Sequence, residues 1–233
     1  MTIGEVHRVR KCRLRLTSNA WAFAGAHAED IAEHWRKRTV ENPGFFNGRV
    51  LLMERMSLTG GVLEADFMES RFADFLFWKD QGLPAAGAID GFGSALIRAR
   101  GGEVLLARQR AGNVNGGLIY MPGGFIDPRD VTVEGCIDID ASFGRELEEE
   151  TGLAPSAFKR RPGYLVTVMP GQVSIAIEFV SDLEAAELRT LLLESIARQA
   201  APELEDFVIY SAPPAIEDSE VMAFSRRALA AVL

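Results

Sequence analysis

Hydrophobic periodicity along the chain predicts alternating strands and helices. Residues 9–16 alternate apolar and basic side chains, the pattern of a strand with one solvated face. Apolar runs on either side of glycine-containing turns predict hairpins, and longer amphipathic stretches between Gly and Pro breakers predict helices. The patterns give strands at 9–16, 47–56, 62–68, 92–99, 103–108, 118–120, 164–168, 173–180 and 207–210, and helices at 18–39, 71–79, 181–199 and 216–232.

The order of these elements indicates the fold class. Strands and helices interleave with tight hairpins, which favours a mixed α/β protein over a doubly wound parallel sheet. The breaker-rich stretch 82–87 is the best candidate for a boundary. We therefore expect a small α+β section at 1–88, which would recognise substrate or brace a homodimer, and a second domain at 89–233.

Charge and composition narrow the function classes. The chain has 233 residues, 48% of them hydrophobic, and a net charge of −8, so it is neither disordered nor basic enough for broad nucleic-acid binding. No apolar run reaches the roughly 18 residues of a membrane-spanning helix. Two cysteines and the lack of a signal-peptide pattern favour a reducing cytoplasm.

Nearly all of the net charge lies in residues 127–150, which contain nine acids and two arginines. On a helix, Glu146, Glu149 and Glu150 stand at i, i+3 and i+4 and share one face, where they would repel one another. Carboxylate oxygens are the ligands that Mg²⁺ prefers, so this face is a candidate metal site. The alternative is a solvated helix face, which is what most charge runs are.

The flanking residues support the metal site. Arg145 precedes Glu149 by four residues and would hold it in orientation. Gly152 provides a helix end, and Gly123 and Gly124 allow the backbone to approach an ion closely, with a carbonyl as a further oxygen ligand. Such a site would orient a water molecule for attack on a diphosphate, with a nearby carboxylate as general base.

These residues resemble the sequence box of the Nudix hydrolases, G-x5-E-x7-R-E-U-x-E-E-x-G-U, where U is aliphatic. Residues 145–153 match its second half at every defined position, and Gly124 resembles its start. The resemblance implies an α/β/α sandwich over 89–233 and cleavage of a nucleoside diphosphate linked to another group. It also implies Mg²⁺ or Mn²⁺ as cofactor, bound by the carboxylates of Glu146, Glu149 and Glu150 and by the Gly124 carbonyl. The catalytic residues that it implies are Glu146, Glu149 and Arg145, with Glu146 as the candidate base.

The middle of the box departs from the pattern. Asp130 stands where the first glutamate of the box belongs, and seven extra residues separate it from Arg145. We interpret residues 131–137 as an insertion in the loop before the helix. Many relatives add a carboxylate from outside the box; the candidates here are Glu203 and Glu205, with Glu178 as the next choice.

The substrate is less well indicated. The section before residue 80 loosely resembles the UDP-glucose/UDP-galactose diphosphatase branch of the family, which would release UMP and a sugar 1-phosphate. Coenzyme A or acyl-CoA diphosphatase and ADP-ribose diphosphatase activities remain alternatives, as does a catalytically silent nucleotide-binding module. Arg108 and Arg110, two residues apart on one strand, are candidates to bind the diphosphate, or solvated strand-edge residues.

Overall fold

The computed structural model describes residues 4–233 and contains two β-sheets with six α-helices. Among these residues, every helix is too short or too polar to span a lipid bilayer. In chain order the strands are β1 (Val6–Val9), β2 (Lys11–Leu16), β3 (Arg49–Thr59), β4 (Val62–Arg71), β5 (Asp90–Arg98), β6 (Val104–Gln109), β7 (Ile119–Tyr120), β8 (Lys159–Arg160), β9 (Tyr164–Met169), β10 (Gln172–Val180) and β11 (Leu204–Tyr210). The helices are α1 (Ala22–Ala26), α2 (Ala28–Glu41), α3 (Phe72–Asp80), α4 (Ile139–Thr151), α5 (Ala185–Ala197) and α6 (Ala223–Val232).

The larger sheet is mixed and lies between helices. Its main path is β1-β9-β10-β5-β6-β11, and β5 runs parallel to β10 but antiparallel to β6. Successive side chains of β6 point to opposite faces: Leu105 packs in the core that α4 and α5 cover, and Leu106 packs in the core that α6 covers. The mixed α/β class and the sandwich of helix, sheet and helix are therefore confirmed.

The smaller sheet has the order β2-β4-β3 and comes from the first section of the chain. The β3–β4 hairpin turns at Gly60 and Gly61, both with positive φ, as the glycine pair predicts. The sheet is joined to the larger unit by backbone hydrogen bonds, from Leu51 N to Ile126 O at 2.9 Å and in both directions between Met53 and Ile89. The division of the chain at residues 88 and 89 stays a prediction.

Several element boundaries differ from those predicted. The strand at 9–16 is two strands, because the chain changes sheets at Arg10: β1 pairs with β9 and β2 pairs with β4. The helix predicted from residue 18 begins at Ala22, since Asn19 donates its amide to Glu54 at 2.9 Å instead of capping a helix. It is also interrupted at His27, which separates α1 from α2.

The last helix is shorter than predicted, because part of its sequence is extended. Val221 forms a parallel bridge to Ile119, and Met222 N donates to Ile119 O at 2.9 Å, so α6 starts one residue later. Helix α5 also starts later than predicted, at Ala185 and not at residue 181. It follows Glu184, whose carboxylate takes part in a capping box with Glu187.

Residues 131–137 form a short excursion from the main path of the chain, and the two ends of this excursion lie side by side. Asp138 N donates to Asp130 O at 2.8 Å, and Val131 bridges Ile137. The excursion lies along β2, where Leu16 N donates to Gly135 O at 2.9 Å and Ile137 N donates to Leu14 O at 2.9 Å. It therefore connects the loop before α4 to the smaller sheet.

Candidate active site

Helix α4 is fixed at both ends and along its apolar side. Asp138 caps its start by accepting from Ala141 N at 3.0 Å, and Gly152 ends it in the left-handed conformation, with φ of 71°. Phe143 is buried against Gly93 of β5, where a Cβ atom would lie 1.7 Å from the Phe143 ring. This packing sets the rotation of the helix and hence the direction of its acidic face.

The three predicted glutamates of α4 line one cavity of about 740 Å³. Glu150 is buried and accepts a hydrogen bond from Gly123 N at 2.7 Å. The Glu146 side chain is 15% exposed and that of Glu149 is 52% exposed, so the row of carboxylates runs from the interior of the cavity to its mouth. The acidic face thus points into a cleft and not to bulk solvent.

Glycine is required beside these carboxylates. A Cβ atom on Gly124 would lie 2.1 Å from Glu146 Oε2, and one on Gly123 would lie 2.0 Å from Gly93 O. The Gly124 carbonyl accepts from Gly93 N at 3.1 Å, which uses one of its two lone pairs. The backbone and the carboxylate of Glu146 can therefore lie in direct contact.

The acidic cluster is electrostatically unfavourable by itself. Burial, followed by repulsion from Glu149, raises the pKa of Glu146 from 4.5 to about 7. Burial and the neighbouring Glu146 raise the pKa of Glu150 well above its ordinary value. A bound cation would remove this penalty, because it favours the ionised carboxylates.

The donor set fits a hard divalent cation, since it consists of carboxylate oxygens beside a backbone carbonyl. Within residues 4–233, no three His, Cys, Asp or Glu side chains stand as a ready-formed metal site. Mg²⁺ commonly completes its coordination shell with water and substrate phosphates, so a protein-only cage is not needed.

Arg145 is held mainly by Asp130, a contact that the sequence analysis did not identify. Arg145 Nη1 donates to Asp130 Oδ1 at 2.5 Å, and Ser142 Oγ donates to Asp130 Oδ2 at 2.9 Å. The Asp130 side chain is fully buried, whereas the distance from Arg145 Nε to Glu149 Oε1 is 3.8 Å. The orientation of Arg145 therefore comes from the loop before the helix.

Of the candidate carboxylates outside the box, the structure brings one to the cavity. Glu203 lines it, just before β11, while Glu205 and Glu178 do not. Glu178 instead forms ion pairs with Arg98, at 2.5 Å, and with Arg161, at 3.4 Å. The carboxylate of Glu178 is therefore paired with these two arginines, outside the cavity.

Arg108 and Arg110 do not line the cavity, and this placement favours the alternative that they are solvated strand-edge residues. Arg108 donates to Gly117 O at 2.9 Å and to Glu220 at 3.0 Å. Because residues alternate across a strand, Gln109 is the residue of this strand that lines the cavity.

The basic residues that do line the cavity come from other segments and were not identified from the sequence. Arg49 and Lys79 belong to the first section, and Arg129 lies in the loop before α4. Arg49 is paired with Glu69 at 3.1 Å and Arg129 with Asp127 at 2.6 Å. The first section therefore forms one wall of the cavity.

Comparison with known proteins gives one protein-family match and several similar solved structures. A NUDIX domain model matches residues 90–202. Curated protein sequences give no match. Similar solved structures include DR0079 from Deinococcus radiodurans, with 17% identity, a TM-score of 0.40 and coverage of 70% of this chain and 82% of that one. The MutT protein from Methanosarcina mazei Go1 has 23% identity and a TM-score of 0.38, covering 59% and 88%.

A third similar structure is a bifunctional NMN adenylyltransferase/ADP ribose pyrophosphatase from Francisella tularensis, complexed with AMP and a Mn ion. It has 20% identity and a TM-score of 0.40, covering 66% of this chain and 44% of that one. The similarity of this chain to NUDIX domains is shown by the family model and by the match of residues 145–153 to the box. The family model thus assigns residues 90–202 to a NUDIX domain, and the box residues 145–153 lie inside this range.

Proposed function

We propose that this protein is a divalent-metal-dependent hydrolase that cleaves the diphosphate of a nucleoside diphosphate linked to another group. The observation that carries the proposal is the convergence of Glu146, Glu149 and Glu150 in one cavity, against the backbone of Gly123 and Gly124. A helix with merely solvated acids does not require glycine at the point of contact or a cavity in front of it.

Each group has a proposed role. Glu146, Glu149 and Glu150 bind Mg²⁺ or Mn²⁺, with the second lone pair of the Gly124 carbonyl as a further ligand. The bound cation supplies charge for the diphosphate oxygens and lowers the pKa of a coordinated water. Glu146 is the candidate to accept the proton from the attacking water, because its carboxylate lies in the cavity against the backbone of Gly124 and is partly exposed.

Two residues complete the acidic part of the site. Arg145, fixed by Asp130, orients the carboxylates of Glu146 and Glu149 at 3.4 and 3.8 Å. Glu203 is the proposed additional carboxylate, since its charge contributes to the raised pKa of Glu150. Both residues come from outside the three-glutamate face.

A UDP-sugar is the first substrate to test, with UMP and a sugar 1-phosphate as products. Coenzyme A and ADP-ribose are the alternatives. The large cavity, of about 740 Å³, includes residues of the first section, so the linked group would contact both parts of the chain.

The experiment is a panel of UDP-sugars, coenzyme A, ADP-ribose and dinucleoside polyphosphates with Mg²⁺ or Mn²⁺, read by phosphate release after phosphatase coupling. Glu149→Gln and Glu150→Gln are expected to abolish turnover, while Glu148→Gln, exposed on the same helix, keeps it. Full activity in both site variants would refute the assignment. Lack of turnover of every panel member by the wild-type protein would favour a silent binding module.

A further inference from the structure

A second group of polar residues lies in the cavity, away from the α4 carboxylates in sequence. Asp90, at the start of β5, lines the cavity and is 6% exposed. Its Oδ2 accepts from Gln172 Nε2 at 2.9 Å, because Gln172 stands beside it in the parallel pairing of β10 with β5. A carboxylate buried to this extent, with one hydrogen bond from a neutral amide, can accept further hydrogen bonds from a ligand.

Lys79 reaches the same cavity from α3 of the first section. Its Nζ donates to Asn115 Oδ1 at 2.8 Å, and Asn115 is held in turn by donation from its backbone N to Gln109 Oε1 at 2.8 Å. An ammonium group has three donors, so Lys79 can donate further hydrogen bonds.

Asp90 and Lys79 are close enough to influence each other but do not form an ion pair. Each charge favours the ionised form of the other, against the effect of burial. Among residues 4–233, however, no nitrogen–oxygen contact within 4.0 Å joins the two side chains. The structure therefore lines one cavity with a strong acceptor and a strong donor that are not paired with each other.

Aromatic side chains line the cavity beside this pair. Phe75 and Phe125 pack edge to face with ring centroids 4.7 Å apart, and Phe92 follows Asp90 on the same face of β5. Polar groups that both donate and accept, next to aromatic walls, suit a ligand with hydroxyl groups on an apolar ring.

We propose that Lys79 and Asp90 form a subsite for the vicinal hydroxyl groups of a sugar ring in the substrate. A hydroxyl donates to the Asp90 carboxylate while it or its neighbour accepts from Lys79. Phosphate is less suited to this position, because Asp90 would repel it. The inference rests on the proposed function for the class of substrate, and it makes the first section a determinant of specificity.

Two sources of vicinal hydroxyls exist in such substrates: the ribose of the nucleoside and a hexose linked to the diphosphate. Three probes separate them. UDP-glucose has both, dTDP-glucose lacks the ribose pair but keeps the hexose, and CDP-choline keeps the ribose but has no hexose. KM and kcat are measured where a probe is turned over, and Kd is measured by isothermal titration calorimetry where it is only bound.

Lys79→Met and Asp90→Asn are each expected to raise KM or Kd for UDP-glucose about 10- to 100-fold, the usual effect of losing a hydrogen bond to a charged group, and to leave kcat within about twofold. Matched controls are Lys37→Met and Asp182→Asn, at exposed positions that do not line the cavity. Circular dichroism and thermal melting establish that each variant is folded, and Lys79→Met alone tests the subsite where Asp90→Asn does not fold.

The pattern of losses across the three probes identifies the sugar that is bound. A loss confined to UDP-glucose and dTDP-glucose identifies the hexose, and a loss confined to UDP-glucose and CDP-choline identifies the ribose. Unchanged KM and Kd, an equal loss for all three probes, or a loss in kcat alone would overturn the subsite. Lack of turnover by the wild-type protein would count against the proposed function, while the Kd values would still test the subsite.

Discussion

The two polar groups of the cavity differ in how the chain builds them. The acidic group takes Glu146, Glu149 and Glu150 from a single helical turn. The second group takes Lys79, Asp90 and other polar residues from α3, β5, the loop before β7 and β10. The first group is determined by local helix geometry, whereas the second exists once the smaller sheet and α3 have packed against the larger sheet.

This difference is consistent with the division of roles that we propose for the two groups. Residues within one helical turn keep their spacing whatever is attached elsewhere, which suits the chemistry of a diphosphate. Residues gathered from several segments can change one at a time, which suits recognition of a variable linked group. The variants below test the acidic group and the second group separately.

After Glu149→Gln and Glu150→Gln, the largest effect is expected from Glu146→Gln. This change removes the proposed base and one carboxylate of the metal site while retaining the size of the side chain. Turnover is expected to fall about 10²- to 10⁴-fold, in the range typical of general acid–base catalysis. Steady-state kinetics on the best panel substrate measure it, and a variant with kcat close to that of the wild type would remove Glu146 from the mechanism.

Gly124→Ala tests the acidic group by adding a methyl group to the backbone position that contacts Glu146. The added methyl group would lie 2.1 Å from Glu146 Oε2, so the carboxylate must move. A displacement of about 1 Å at a reacting group can cost about 100-fold in rate, and we expect a loss of that order in kcat. The control is Gly25→Ala, where nothing lies within 4 Å of the new Cβ atom. Equal activity of both variants would contradict the contact.

Asp130→Asn is expected to affect stability. Asp130 is buried and paired with Arg145 at 2.5 Å, and breaking such a pair typically costs about 3 kcal/mol or more. At roughly 2–4 °C per kcal/mol for a protein of this size, Tm should fall by about 10 °C. Differential scanning calorimetry measures this change. Asp182→Asn, on the surface, should change Tm by no more than about 2 °C.

The smallest effect concerns Asp90 and pH. Burial raises the pKa of Asp90 from 3.8 to about 6, against the influence of Gln172 and Lys79. The folded protein therefore binds this proton more tightly than the unfolded chain does, and its stability falls as pH rises from about 4 to above 6. Asp90→Asn removes this contribution, so the variant should gain stability relative to wild type across that range, by about 3 kcal/mol at most.

Denaturant unfolding of both proteins at several pH values between about 4 and about 7 tests this prediction. The measured quantity is the difference in unfolding free energy between variant and wild type at each pH. A difference that stays constant across this range would show that Asp90 has an ordinary pKa.

The sequence predicts the fold where its signals are local. The β3–β4 turn follows from Gly60 and Gly61, and the second half of α4 follows from the spacing of its glutamates and from Gly152. The errors occur where a tertiary contact competes with local preference. The chain changes sheets at Arg10, and Val221 pairs with Ile119 in extended form although the surrounding sequence favours a helix.

The same distinction applies to the site. The spacing of Glu146, Glu149 and Glu150 predicts a shared face, and the structure places all three in one cavity. Alternation along β6 predicts that Arg108 and Arg110 point the same way, but it does not indicate which side of the sheet that is. Lys79 carries no local signal, because its place in the cavity depends on how α3 packs.

The proposed mechanism depends on the binding of a divalent cation by the α4 carboxylates beside Gly124. Crystals of the wild-type protein soaked in Mn²⁺, with anomalous diffraction data, would locate that cation. We expect an anomalous peak in contact with carboxylate oxygens of Glu146, Glu149 and Glu150, at the roughly 2.0–2.2 Å typical of small divalent cations with oxygen ligands. An ordered cavity with no peak there, or a peak bound elsewhere, would rule out this metal site.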